Sequence, residues 1–151
     1  MRDIHVQAEI NNIEKLRVGT VYSNKDLQKT FKVSSQGGMR KSNRTNSLVL
    51  VSKQNKSSEK NPYEDKWQED GFFHYTGMGL TGDQNLGHMQ NKTLNESNTN
   101  GVNVYLFEAY NTNEYTYRGK VILAAPPYAV NEPDVNNQIR RVYKFPLKLK
   151  K

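Results

Sequence analysis

Apolar residues along this chain gather in short runs separated by long polar stretches. The run 47–51, SLVLV, is rich in β-formers and bounded by the polar segments 40–46 and 52–61, so it reads as a buried strand. Residues 72–76, FFHYT, form a second strand, stopped by Gly77 and Gly79. Residues 102–108, VNVYLFE, alternate apolar and polar before turning fully apolar, and 115–124 and 141–147 complete the set. Helical signals are confined to three places. They are 24–31, NKDLQKTF, where Asn24 can cap a short amphipathic turn; 91–98, NKTLNESN; and 6–16, where Ile10, Ile13 and Leu16 recur at helical spacing. The pattern predicts a mainly β chain with a few short helices, α+β in class, built as a barrel or a sandwich. No repeat or linker divides it, and 52–61, SKQNKSSEKN, offers nothing to bury and is expected as a disordered insertion.

Length and composition narrow the function. At 151 residues one compact domain is expected. The absence of cysteine excludes a disulfide scaffold, a zinc ribbon, an iron–sulfur cluster and a cysteine nucleophile. Only 34% of residues are hydrophobic, yet nine tyrosines, five phenylalanines and one tryptophan can still build a modest core. The 22 Lys and Arg outnumber the 15 Asp and Glu, for a net charge of +7. These bases are dispersed in short clusters among polar loops, which suits a nucleic acid better than a membrane. Residues 1–17 are broken by charges every few positions, so neither a secretory signal nor a membrane anchor is expected, and a soluble intracellular protein is the default.

Catalytic motifs are scarce. The glycines of 77–82, GMGLTG, match G-x-G-x-x-G after a strand, but 83–88, DQNLGH, lack the apolar periodicity of the crossover helix that a dinucleotide site needs. His5, His74 and His88 share no metal-ligand spacing, and the cysteines of a zinc deaminase and the G-x-S-x-G elbow are missing. No metal or cofactor is therefore expected. A magnesium nuclease built on Asp65, Glu69, Asp70 and Asp83 is the remaining catalytic alternative.

What stands out is a run of aromatics and carboxylates beside a glycine loop: Tyr63-Glu64-Asp65-Lys66-Trp67, then Asp70-Gly71-Phe72-Phe73-His74-Tyr75-Thr76-Gly77-Met78-Gly79. Preceded by Ser47-Leu48-Val49-Leu50, this order resembles the SRA (SET- and RING-associated, or YDG) domain. There a strand ending Ser-Leu/Ile-Val-Leu leads to a Tyr-Glu-Asp-Asp loop, and a second strand ends Tyr-Thr-Gly-x-Gly. Gln36-Gly37-Gly38-Met39, the stretch from Gln90 to Gly101 and the closing Val142-Tyr143-Lys144-Phe145-Pro146-Leu147 are similar to further parts of the family pattern. The resemblance covers about residues 19–149 and is strongest to the divergent bacterial branch attached to HNH nucleases in McrA-type modification-dependent restriction endonucleases. It divides the chain into a segment 1–18, with helical potential, and an SRA-like domain 19–151.

The resemblance implies an SRA/PUA-like twisted β-barrel that binds double-stranded DNA and flips a modified cytosine, 5-methyl or 5-hydroxymethyl, into an aromatic pocket. It implies a binding domain without catalysis, either isolated or a fragment or partner of an HNH endonuclease, with no membrane partner. Its setting would be the bacterial cytoplasm, on the nucleoid when bound. Tyr63 and Tyr75 match the positions that sandwich the base, and Asp65 is the acid that would accept from the cytosine N4 amine. An ungapped count from Tyr75 sets Lys66 at the family's aspartate position, and a one-residue shift brings Asp65 there. Thr76 would offer backbone groups, and Gly77 and Gly79 would let the main chain approach the base. Two loops would fill the vacated stack, 36–44 with Gln36 as the inserting residue, and 80–90 with Asp83, Gln84 and Asn85. Arg40, Lys41, Arg44 and Lys92 would hold phosphates. The alternative is a PUA-like RNA-binding module indifferent to cytosine modification.

Overall fold

The computed structural model describes residues 4–54 and 65–150. Among them run α1 (Ile4–Glu14), β1 (Val21–Tyr22), α2 (Asn24–Phe31), β2 (Met39–Ser42), β3 (Ser47–Lys53), β4 (Lys66–Trp67), β5 (Phe73–Thr76) and α3 (Met89–Asn95). They continue with β6 (Asn103–Asn111), β7 (Glu114–Leu123), β8 (Tyr128–Pro133) and β9 (Ile139–Leu149). The five strands expected from apolar runs are all present. The polar strands β2 and β8 carry no such run, and β1 and β4 are only two residues long.

One sheet holds every strand, in the order β2-β3-β6-β7-β9-β5-β4, with β1 on β7 and β8 on β9. At its centre β3 and β6 pair in parallel, Ser47 opposite Asn103 through Lys53 opposite Ala109. Strands covered on both faces should be apolar where they are covered, and Leu48 to Val51 and Val104 to Phe107 are. Leu48, Leu50, Val104 and Leu106 enter one core with Phe73, Tyr75, Phe145 and Leu147. Val49, Val51, Tyr105 and Phe107 enter a second core with Ile13, Leu27 and Phe31. The register shift between Leu106 and Phe107 lets β7 serve both: Tyr115 and Tyr117 pack in the second core, Val121 and Leu123 in the first.

α2 is capped one residue before the expected position. Ser23, not Asn24, is the N-cap, and it forms a capping box with Asp26, its hydroxyl accepting from the Asp26 N–H at 3.1 Å. Its apolar face carries Leu27 and Phe31 into the second core, where the Phe31 ring stands edge-on to Phe107 at 5.9 Å. Each such fully covered side chain contributes about 1.5–3 kcal/mol. α1 adds Ile13 to the same core. The residues expected to form a disordered insertion divide: Ser52 and Lys53 belong to β3, with Ser52 fully buried, whereas 55–61 lie outside the described residues.

The barrel expectation meets a correction. Among the described residues no strand pairing joins the edge strands β2 and β4, so the hydrogen-bonded sheet stays open. Side chains cross the gap instead. The Tyr75 hydroxyl, on β5, donates to the Gly38 carbonyl just before β2 at 2.7 Å. The site lies there.

Candidate functional site

A cavity of about 500 Å³ opens between the start of β2, the end of β3 and the Tyr75 to Leu80 segment, with Asp65 in its wall and His88 at its far side. That volume falls in the ~300–1,000 Å³ range of small-molecule sites. Its surface is largely apolar, from Met39, Val51, Met78 and Leu80, and Lys53 is the one lysine among the described lining residues. Asp65, Tyr75, Thr76 and Gly77, four of the five residues expected to form a pocket, line it together. Tyr63, the fifth, lies outside the described residues.

Tyr75 is 3% exposed and lines the cavity, its hydroxyl held by the Gly38 bond. A Cβ on Gly38 would stand 3.0 Å from that hydroxyl and 3.3 Å from the Val51 carbonyl, so only glycine permits this closure without displacement. Asp65 is the cavity's carboxylate. Its Oδ1 accepts from the Thr76 N–H at 2.6 Å and its Oδ2 from the Ser52 hydroxyl at 2.7 Å. Burial pushes its pKa above the usual aspartate range, against the Ser52 and Thr76 hydrogen bonds and the Lys144 charge, which pull it down. A carboxylate has about four acceptor sites, and with the Thr76 side chain as a third donor Asp65 still has acceptor capacity left. Lys66, the competing position, sits in β4 and is exposed. Trp67 is 39% exposed, stands edge-on to Phe73 and donates to Glu108 at 3.1 Å, away from the cavity lining.

The glycine loop is held from behind by three side chains that no motif singled out for this task. Asn91, fully buried on α3, accepts from the Met78 N–H at 2.7 Å and donates to the Met78 carbonyl at 3.0 Å. Gln84 donates to the Gly77 carbonyl at 2.6 Å and accepts from the Tyr143 N–H at 3.0 Å. Arg140 donates to the carbonyls of Gly79 at 2.7 Å and Gly82 at 3.0 Å. A Cβ on Gly77 would lie 2.8 Å from Asn91 Oδ1, so the loop approaches this closely only as glycine. An Asn-rich polar stretch in sequence does not reveal which amide turns inward.

The residues expected to meet DNA divide in two. Gln36 is exposed, next to the cavity-lining Gly37 and Gly38. Asn85 and Lys92 are also exposed, Lys92 lying 3.9 Å from Glu96. Asp83 is exposed too, its Oδ1 accepting from the Arg141 N–H. Lys41 is partly covered and donates to Asn43 and the Ser42 carbonyl, and Arg44 pairs with Glu9 of α1 at 2.6 Å. Two residues face inward, contrary to expectation. Gln84 is 3% exposed and spends its amide on the glycine loop. Arg40 is also 3% exposed, donates to the Gly37 carbonyl at 2.8 Å and Asn24 at 2.6 Å, and lies over the Tyr115 ring. β2 buries Met39 and Arg40 side by side, and the bonds to Gly37 and Asn24 tie Arg40 to the Gln36 loop.

Behind Thr76 lies a buried cation. Lys144, 4% exposed on β9, donates to the Thr76 hydroxyl at 2.7 Å and to Glu132 of β8 at 3.0 Å. Among the described residues no three His, Asp or Glu side chains gather to hold a metal, so Asp65, Glu69, Asp70 and Asp83 do not form the magnesium cluster of the catalytic alternative. No helix among these residues is long and apolar enough to cross a membrane.

No curated protein matches the chain significantly. Solved structures share its fold. The sulfur binding and SRA domains of ScoMcrA, complexed with phosphorothioated DNA, superpose with a TM-score of 0.69 at 18% identity over 89% of this chain and 40% of that one. The DNA modification-dependent restriction endonuclease AspBHI gives 0.66 at 21% identity over 89% of this chain and 42% of its own. The SUVH5 SRA domain in complex with hemi-methylated CG DNA gives 0.62 at 21% identity over 90% and 89%. This chain thus spans less than half of the ScoMcrA and AspBHI chains. The sequence profile described as "ScoMcrA-like, SRA domain" matches residues 18–149, most of the chain, and the chain belongs to that family.

Proposed function

We propose that this chain is a DNA-binding module that takes a C5-modified cytosine, 5-methyl or 5-hydroxymethyl, out of the duplex and into the cavity beside Asp65. The observation that carries this is a carboxylate in the wall of an apolar cavity, with acceptor capacity left over and backbone groups of Thr76 to Gly79 beside it. Extruding a base costs a few kcal/mol. Stacking returns about 1–3 kcal/mol per base, and a hydrogen bond to a charged acceptor about 1.5–3 kcal/mol, so one wall contact and one Asp65 bond offset the flip. Tyr75, in the lining, supplies the wall contact, and Tyr63 the second face by its match to the family pattern. The N4 amine distinguishes cytosine from thymine because only cytosine presents a donor there. The complexes of ScoMcrA and SUVH5 with modified DNA support the partner class. The role that fits is the specificity domain of a modification-dependent restriction endonuclease, with cleavage by an HNH domain or subunit.

The test is equilibrium binding to matched duplexes carrying cytosine, 5-methylcytosine or 5-hydroxymethylcytosine at one site, near physiological salt, with an RNA duplex as control. Tenfold tightening on a modified duplex, about 1.4 kcal/mol, is expected. Equal binding to all three duplexes refutes the pocket, and equal binding to RNA favours a PUA-like RNA module.

A further inference from the structure

A lysine ammonium is seldom fully buried, and one placed 4% exposed behind a cavity wall needs a reason. Lys144 is pinned between Glu132 and the Thr76 hydroxyl, and the same Thr76 gives its backbone N–H to Asp65. The hydroxyl has one proton. Because it accepts from Lys144 Nζ at 2.7 Å, that proton is directed away from the lysine. Thr76 favours ionised Asp65 through its side chain as well as its N–H. A polar chain thus runs Glu132, Lys144, Thr76, Asp65, Ser52 across β8, β9, β5 and β3.

We propose that Lys144, acting through Thr76, holds Asp65 as an acceptor-only carboxylate and so sets the preference of the pocket for the cytosine amine over the carbonyl of thymine or uracil. This rests on the base-pocket reading above. An ionised carboxylate can only accept, which suits the N4 amine. A protonated one also donates, and then serves a C4 carbonyl as well. Burial works toward protonation, and Lys144 is the cation that opposes it. Among the described residues, the other ionisable groups around the acid are Lys53 of β3 and His88, which line the same cavity, Lys66 beside it, and Glu132 behind the lysine. On the neighbouring part of β5, His74 is engaged by Asp70 and Tyr128. Lys144 is a positioning residue here: it bonds the cavity-lining Thr76 and not the base, and its charge on Asp65 adds to what passes through that residue.

The test compares wild type, Lys144→Met and Thr76→Val from pH 6 to 8.5. The probes are duplexes carrying the tighter-bound modified cytosine, or the uracil with the same C5 substituent, opposite guanine: 5-methylcytosine against thymine, or 5-hydroxymethylcytosine against 5-hydroxymethyluracil. The ratio of the two affinities is the readout, and the wild-type profile accounts for His88 and every other group common to the proteins. In wild type the ratio should favour cytosine throughout. In Lys144→Met it should fall at least tenfold at pH 6 and recover toward pH 8.5, because protonation of the acid, not loss of shape, erases it. Thr76→Val breaks the hydrogen-bonded link and leaves the Lys144 charge in place, so the ratio should fall with the same pH dependence but by less; it decides the matter if Lys144→Met does not fold. Ratios equal to wild type at every pH in the folded variants overturn the role of Lys144 and leave the pocket standing. Failure of wild type itself to prefer either modified cytosine over unmodified cytosine overturns both.

Discussion

Replacing Asn91 by alanine isolates the support of the glycine loop from the loop itself. The Asn91 amide makes three hydrogen bonds, accepting from the Met78 N–H at 2.7 Å and donating to the carbonyls of Met78 at 3.0 Å and Asn85 at 3.2 Å. At a net 0.5–1.5 kcal/mol each, their loss costs about 3 kcal/mol, and the residue is fully buried, so water does not readily replace them. For a domain of this size that corresponds to a fall of about 6–12 °C in Tm. It lies below a typical stability of about 5–15 kcal/mol, so the variant should fold. Thermal unfolding followed by circular dichroism measures the shift, with Glu96→Ala as the control for an exposed position near the end of the same helix. Because Met78 lines the cavity, binding should lose modification preference while salt-sensitive binding to unmodified DNA persists. A Tm within 2 °C of wild type, or an unchanged preference, refutes the claim that this amide shapes the cavity wall.

Two further outcomes follow from inward-facing charges. Asp65→Asn should raise stability at neutral and alkaline pH and abolish the preference for cytosine. The folded pKa of Asp65 is raised, chiefly by burial, so its contribution to stability is complete below the unfolded value and is lost as pH rises through the folded one; asparagine has no charge to desolvate. Urea unfolding of both proteins between pH 4 and 8 measures this, and a wild-type advantage that grows with pH contradicts it. Arg40→Met should destabilise by about 2–4 kcal/mol, since its guanidinium bonds Gly37 and Asn24, yet leave the salt slope of DNA binding unchanged. A slope reduced by about 1 would instead mark Arg40 as a phosphate contact.

Much of the fold was legible in one dimension because the strands that form the two cores carry their burial in the chain itself. The SLVLV run, the alternation of 102–108 and the apolar stretches of 115–124 and 141–147 each became a strand within a few residues of the expected ends. Strands β2 and β8 were not legible, since MRKS and YAVNEP owe their extended form to pairing with the strands that follow them, β3 and β9. The cap of α2 shifted by one position because Ser23 and Asp26 bond reciprocally, a choice that local composition leaves open between Ser and Asn.

The candidate site divides in the same way. The order of Tyr63, Asp65, Tyr75 and the glycine loop is a property of the sequence, and it led to the family. What the sequence alone determined, then, is which segments are apolar enough to become buried strands and which residue types are available near the glycines. The tertiary structure decided which way the polar residues face: Arg40, Gln84, Asn91 and Lys144 are all nearly or fully buried, although the first three sit in polar stretches and Lys144 carries its charge within an apolar strand. A buried polar group is stable only when a partner satisfies it, and the carbonyls of Gly77 and Met78 and the hydroxyl of Thr76, which meet Gln84, Asn91 and Lys144, are brought within reach only by the folded chain.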